Sequence, residues 1–194
     1  MKSYPKYGKP FEPGKYYHIY NCAVGMEKLF GKSDNYRYFL EKFQLYTKNL
    51  LKVYAYCLIP NHFHFLIKLN DDVDRKIVSN QFRKFFISYS KSFNLQQSRS
   101  GTLFSKHLKR VEISSESQLV WTVYYIHRNP VHHFITRDYK KYIWSSYSAI
   151  LSSKPTSVER DDVLNVFNGR ENFINFHDKN IEEDILKRKI EVPE

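Results

Sequence analysis

The chain of 194 residues is predicted to adopt an α+β fold, a ferredoxin-like split βαβ antiparallel sheet with one added C-terminal helix. Three observations predict it. Apolar residues recur with period 2 and period 3.6 in the order strand, helix, strand, strand, helix, strand, helix. The two middle strands are separated only by Pro60-Asn61, a turn short enough to make them an antiparallel hairpin. Hydrophobic residues make up 42% of the chain and aromatics 17%, which supplies one real core, while the length leaves room for little more than one domain and a tail.

Each element has its own signal. Residues 16–23, rich in Tyr and Ile and entered through Pro13-Gly14, read as the first strand. Ser33 or Asp34 can cap a helix in which Tyr36, Phe39, Leu40, Phe43 and Tyr46 recur at helical spacing up to about Asn49. Residues 52–59 and 63–69 form the hairpin. Residues 74–93 are a long helical stretch with Ile77, Phe82, Phe85, Phe86 and Tyr89 as its expected buried contacts. Arg99-Ser100-Gly101 breaks the chain before a fourth strand at 108–113. The added helix runs from about Ser115 to Arg128 and is expected to stop at Asn129-Pro130, because proline disfavours helical geometry in the residue before it. Such a sheet has one face covered by helices and is expected to leave the other open. Trp144 and Tyr147 are expected to form a satellite core under the connection that follows.

Charge divides the chain into a body, 1–151, and an acidic helical tail, 152–194. Lys and Arg number 31 against 20 Asp and Glu, a net charge of +11. Residues 1–154 hold 25 basic and 10 acidic side chains, whereas 155–194 hold 6 and 10, so residues 1–154 carry +15 and residues 155–194 carry −4. An excess of that size in a folded, aromatic-rich body indicates a polyanionic partner, nucleic acid first. In the tail, Val163, Leu164 and Phe167, and then Phe173, Ile174 and Phe176, have helical spacing. Cys22 and Cys57 have neither disulfide-framework nor zinc-finger spacing, and Cys22 reads as a small packing residue. Residues 1–13 lack the apolar stretch of a signal peptide and no apolar run approaches about 18 residues, so a reduced, cytoplasmic setting without a membrane partner is expected.

The chemistry concentrates in two segments. Along His62-Phe63-His64-Phe65-Leu66-Ile67-Lys68-Leu69, alternation puts the Phe, Ile and final Leu on a core face and both imidazoles side by side on the other, close enough to share a metal ion. Two hydrogen-bonded histidines would give the same pattern. On the added helix, Leu119, Val123, Ile126 and Pro130 form an apolar stripe, and Tyr125 points almost the opposite way. Asn129, one turn later, shares the face of Tyr125, so a phenol and an amide oxygen can approach one site. Tyr124 lies nearer the apolar stripe and is expected to pack.

Pro60-Asn61-His62-Phe63-His64, Tyr125-Ile126-His127-Arg128-Asn129-Pro130-Val131 and Trp144-Ser145-Ser146-Tyr147 occur in that order, together with Tyr17-His18-Ile19-Tyr20-Asn21 and Gly101-Thr102-Leu103-Phe104. In these blocks the chain resembles the REP-associated tyrosine transposases, a branch of the single-tyrosine HUH transposases, over residues 16–150. The resemblance implies a metal-dependent enzyme that cleaves and rejoins single-stranded or REP-like hairpin DNA. By similarity Tyr125 is the nucleophile that forms a 5′-phosphotyrosine. His62 and His64 look like ligands of Mg²⁺ or Mn²⁺, with Asn129 where family members place a third polar ligand. Chemistry agrees, since a phenol of ordinary pKa about 10 is a poor nucleophile that a nearby divalent cation can activate. The chain departs from the family at Cys22, where arginine is frequent, and at Ser105, where glutamine is common. Related transposases form dimers that exchange the tyrosine helix and monomers occur in the REP-associated branch, so the resemblance implies a monomer or a homodimer.

Arg83 and Lys84 on the second helix, and Lys106, Lys109 and Arg110 around the fourth strand, are the candidate DNA contacts. Exposed sheet aromatics could stack on unpaired bases. Two other readings use the same residues: a non-catalytic single-stranded DNA or RNA-binding module on this sheet, and a hydrolase in which the histidines activate water and Tyr125 is idle.

Overall fold

The computed structural model describes residues 10–105, 107–182, 185, 186 and 190. Strands β1 (Tyr16–Cys22), β2 (Leu51–Ile59), β3 (His62–Leu69) and β4 (Lys109–Ile113) form one antiparallel sheet in the order β2-β3-β1-β4. This is the split βαβ arrangement expected from the element order. Pro60-Asn61 closes the hairpin, with Ile59 opposite His62.

Helices α1 (Ser33–Thr47) and α2 (Arg75–Gln96) cover one face of the sheet. Phe39 and Phe43 of α1 and Phe82, Phe85 and Tyr89 of α2 close over Tyr17, Ile19, Phe63, Phe65 and Ile67. Phe43 stacks on Phe65 with centroids 4.1 Å apart. Two local expectations differ. Neither Ser33 nor Asp34 caps α1: Lys32 is the N-cap, and Asn35 Oδ1 accepts from the N–H groups of Gly31 and Lys32, so the amide inside the first turn satisfies the free donors before it. On α2, Val78 is buried where Ile77 was expected, and Ile77 is half exposed, because the stripe that meets the sheet runs Val78-Phe82-Phe85-Tyr89.

The second face is not open. Helix α3 (Glu116–His132) lies across it, capped by Ser115, whose hydroxyl accepts from Gln118 N–H. Beyond it, α4 (Tyr147–Leu151), α5 (Arg160–Val166) and α6 (Arg170–His177) join the same apolar cluster through Tyr147, Ile150, Val163, Phe167 and Phe173. The tail also extends the sheet edge, where Val158 bridges Val53 and Tyr54 donates to Asp162 Oδ2. The helical spacing read in the tail therefore corresponds to real helices. Trp144 and Tyr147 divide between the two cores: Trp144 stacks on Tyr36 of α1 at 4.5 Å, and Tyr147 packs on Phe173.

Helix α3 also runs one turn past its expected end, with Pro130 inside it. Proline disfavours but does not forbid this, and here Asn129 and Pro130 are both buried against the sheet and tail, so packing holds the helical geometry that local preference would release. Among the described residues no helix is long and apolar enough to cross a membrane.

Candidate active site

Register converts strand alternation into a site. β1 pairs with β3 so that Tyr20 lies opposite His64, His18 opposite Leu66 and Cys22 opposite His62. Residues paired across an antiparallel ladder point to the same side. The face that carries His62 and His64 therefore also carries His18, Tyr20 and Cys22. Helix α3 lays Tyr125 and Asn129 over this group. The result is a cleft of about 180 Å³ lined by Tyr20, Asn21, Cys22, His62, His64, Lys109, Tyr125 and His133.

Within it His62 Nε2 lies 2.9 Å from Asn129 Oδ1, and the rings of His62 and His64 stand perpendicular with centroids 5.1 Å apart. The Tyr125 ring meets His64 edge-on at 5.6 Å and His18 at 6.0 Å. The four residues singled out on two distant segments, His62, His64, Tyr125 and Asn129, are thus brought together in one chain. Tyr124, the neighbouring phenol, turns away: its hydroxyl donates to the Lys179 carbonyl, and its ring packs on Trp121 and Phe176.

Burial sets the electrostatics. His18 Nε2 and His64 Nδ1 share a buried hydrogen bond of 2.8 Å. Desolvation pushes the His18 pKa down to about 3 and holds His64 well below the ordinary histidine value, the latter helped by the imidazoles of His18, His62 and His133. Both stay neutral at physiological pH. Tyr20, stacked on His18 and His64, has its phenol pushed up to about 12, first by burial and then by Tyr125 and Cys22.

A second histidine pair fixes α3 from behind. His177 Nδ1 donates to the Phe173 carbonyl, so its Nε2 accepts from His127 Nδ1 at 2.9 Å, and His127 Nε2 in turn accepts from the Ser146 hydroxyl at 2.8 Å. Tyr56 N–H donates to Ser146 Oγ. The chain of bonds ties α6 to α3 and α3 to the strand β2, with each proton accounted for.

A solved structure of the REP-associated tyrosine transposase bound to a REP hairpin matches over 81% of this chain and 90% of its own, with a TM-score of 0.65 and 15% sequence identity. The two share one fold. No family model and no curated protein matches the sequence. In this chain the fold supports the histidine and tyrosine cleft.

The candidate DNA contacts scatter. Lys109 lines the cleft, its ammonium 5.6 Å from the Tyr20 ring centre. Arg110, opposite Ile19 in the ladder, points to the other face, where its guanidinium covers Phe11 at 4.6 Å. Arg83 and Lys84 are exposed on α2, across the sheet from the histidines, and Lys106 lies outside the described residues. Cys22 is half buried at the cleft rather than packed in a core, with Sγ 3.4 Å from Ser105 Oγ. The two positions that depart from the transposase pattern therefore touch each other. His18 and Tyr20 had a signal in the sequence, since they alternate with Tyr17 and Ile19. Placing them beside His64 required the register of β1 on β3.

Proposed function

We propose that this protein is a single-tyrosine DNA transposase of the REP-associated type, cleaving and rejoining single-stranded DNA at REP-like hairpins through a phosphotyrosine. The observation that carries this reading is the convergence of Tyr125, His62 and His64 in one cleft of one chain, with Asn129 Oδ1 2.9 Å from His62 Nε2. The Tyr125 hydroxyl oxygen attacks phosphorus, the bond to the 3′ oxygen breaks, the phenol gives up its proton and the 3′ oxygen takes one. The 5′-phosphotyrosine keeps the ester bond for rejoining to another 3′-hydroxyl. In this reading the nucleophile serves its own chain, a reading supported by the packing of the Tyr125 ring against His64 of the same chain.

Two imidazoles and an amide oxygen on adjacent elements suit a divalent ion such as Mg²⁺ or Mn²⁺, leaving positions for phosphate and water. Among the described residues no group of three or more His, Cys, Asp or Glu is arranged to hold a metal, so the third ligand in this reading is the amide of Asn129. When bound, the ion supplies Lewis-acid polarisation of the phosphate and favours the phenolate. If His64 binds it through Nε2, its Nδ1–H is the donor to His18, which orients the ring. The covered second face of the sheet speaks against a module that binds bases flat on it.

The test is incubation with labelled single-stranded hairpin DNA and Mn²⁺ followed by denaturing electrophoresis. A covalent protein–DNA band is expected, and turnover without one would favour the water-activating hydrolase. His62→Ala/His64→Ala is expected to lose both cleavage and calorimetric Mn²⁺ binding while still retaining the hairpin. Normal cleavage by that variant would refute the ligand assignment. Affinity should fall with salt at a log–log slope of about −2 or steeper, since each neutralised phosphate of a single strand contributes about −0.7. A flat salt series by fluorescence anisotropy would refute the phosphate-binding role of the body charge.

A further inference from the structure

Helix α3 ends in a motif that favours glycine but here contains phenylalanine. His133 is the C-cap, Phe134 N–H bonds to Val131 O at 3.0 Å, and Ile135 N–H bonds to Pro130 O at 2.8 Å. This pair of bonds is the Schellman closure, whose residue after the cap adopts left-handed geometry and is usually glycine. Phe134 sits there with φ 56°, a conformation that is an outlier for a bulky side chain. It gains no packing in return, because it is 95% exposed. The residue before it, His133, lines the cleft, with its ring 4.4 Å from that of His62. A strained backbone and a fully solvated phenyl coincide in the residue that directly follows His133, which lines the candidate active site.

We propose that Phe134 is a stacking platform for an unpaired base of the DNA strand next to the phosphate held in the cleft. The inference rests on the single-stranded DNA reading given above and adds the residue that holds the flanking nucleotide. The occupant follows from the surroundings. A phenyl ring with both faces accessible accepts any base, and the strand's phosphates meet Lys109 in the cleft and the +15 charge of residues 1–154. The Schellman bonds fix the backbone that carries Phe134 directly after His133, so a base stacked on its ring would hold the strand beside the cleft.

The test exploits opposite demands on fold and binding. Phe134→Gly relieves the left-handed strain and is expected to melt no lower than the wild type. It should bind a hairpin with a single-stranded flank about tenfold or more weakly, within the range for one base–aromatic stack. Phe134→Trp should keep the affinity, and Phe134→Leu, apolar without a π face, should lose it. A scan of single abasic sites along the flank should find one position whose loss weakens the wild type but not Phe134→Gly.

Equal affinity of the wild type and Phe134→Gly, with covalent adduct still formed, would overturn this inference and leave the proposed function standing. Failure of the wild type to bind any single-stranded or hairpin DNA would overturn both. A lowered melting temperature in Phe134→Gly would show that the ring packs in the fold. Conversion of a dimer to a monomer by that substitution, seen by sedimentation, would show that it joins two copies of this chain. Either result would replace the base-stacking role.

Discussion

Tyr125→Phe is expected to abolish the covalent protein–DNA adduct, a loss of at least about 10³-fold, while hairpin affinity, Mn²⁺ binding and melting temperature stay close to wild type. The substitution deletes one hydroxyl and keeps the ring that packs edge-on against His64 and His18. The adjacent tyrosine gives the contrasting result. Tyr124→Phe removes the hydrogen bond to the Lys179 carbonyl at the far side of α3, so it should cost some stability, about 1 kcal/mol, and leave the adduct intact. Mass spectrometry of the digested adduct should find the nucleotide on the Tyr125 peptide, joined through a 5′ phosphate. Tyr20 is the informative control because it is the other phenol in the cleft. An adduct that survives Tyr125→Phe and maps to Tyr20, or a 3′ linkage in the wild type, would overturn the mechanism without disturbing the fold.

Acid should unfold this protein unusually early. His18, His64, His127 and His177 are all buried, and burial pushes each pKa down, to about 3 for His18 and His177 and well below the ordinary value for His64 and His127. In the unfolded chain each takes a proton near pH 6.5, and in the folded chain none does until far lower pH. Their contribution is therefore fully present above pH 6.5 and is lost as pH falls from there towards 3. Between pH 7 and pH 5 His18 and His177 each remove about 2 kcal/mol, and His64 and His127 act in the same direction. Urea unfolding followed from pH 7.5 to 4.5 should show a steep decline with cooperative loss of structure near pH 5. His127→Gln, which takes one titrating group away, should flatten the slope by about one proton. A stability that is level between pH 7 and pH 5 would mean that these imidazoles are not held neutral by the fold.

The sequence by itself determined the elements and their faces. Period-2 alternation put Phe63, Phe65 and Ile67 on one side of β3 and both histidines on the other, and helical period put Tyr125 and Asn129 on one side of α3. Those are local consequences of backbone geometry, and they survive in any tertiary context that keeps the strand a strand and the helix a helix. The order of the elements then restricted the sheet to one familiar topology.

Tertiary structure decided everything that depends on two segments meeting. The β1–β3 register placed His18 against His64, and nothing within residues 16–22 encodes that register alone. Helix α3 covered the sheet face expected to be open and ran on through Pro130 against local preference, and the tail closed over α3 and buried Tyr124 and His127. Alternation along β4 separates Lys109 from Arg110, but the pairing of β4 with β1 decided that Lys109 lines the cleft and Arg110 faces the other side. The strain at Phe134 is visible only once the helix end is known, since left-handed geometry belongs to the turn rather than to the residue that occupies it. Periodicity is a property of one segment and can be read along the chain, whereas burial, register and the environment of a titrating group belong to pairs of segments and exist only when the chain has folded.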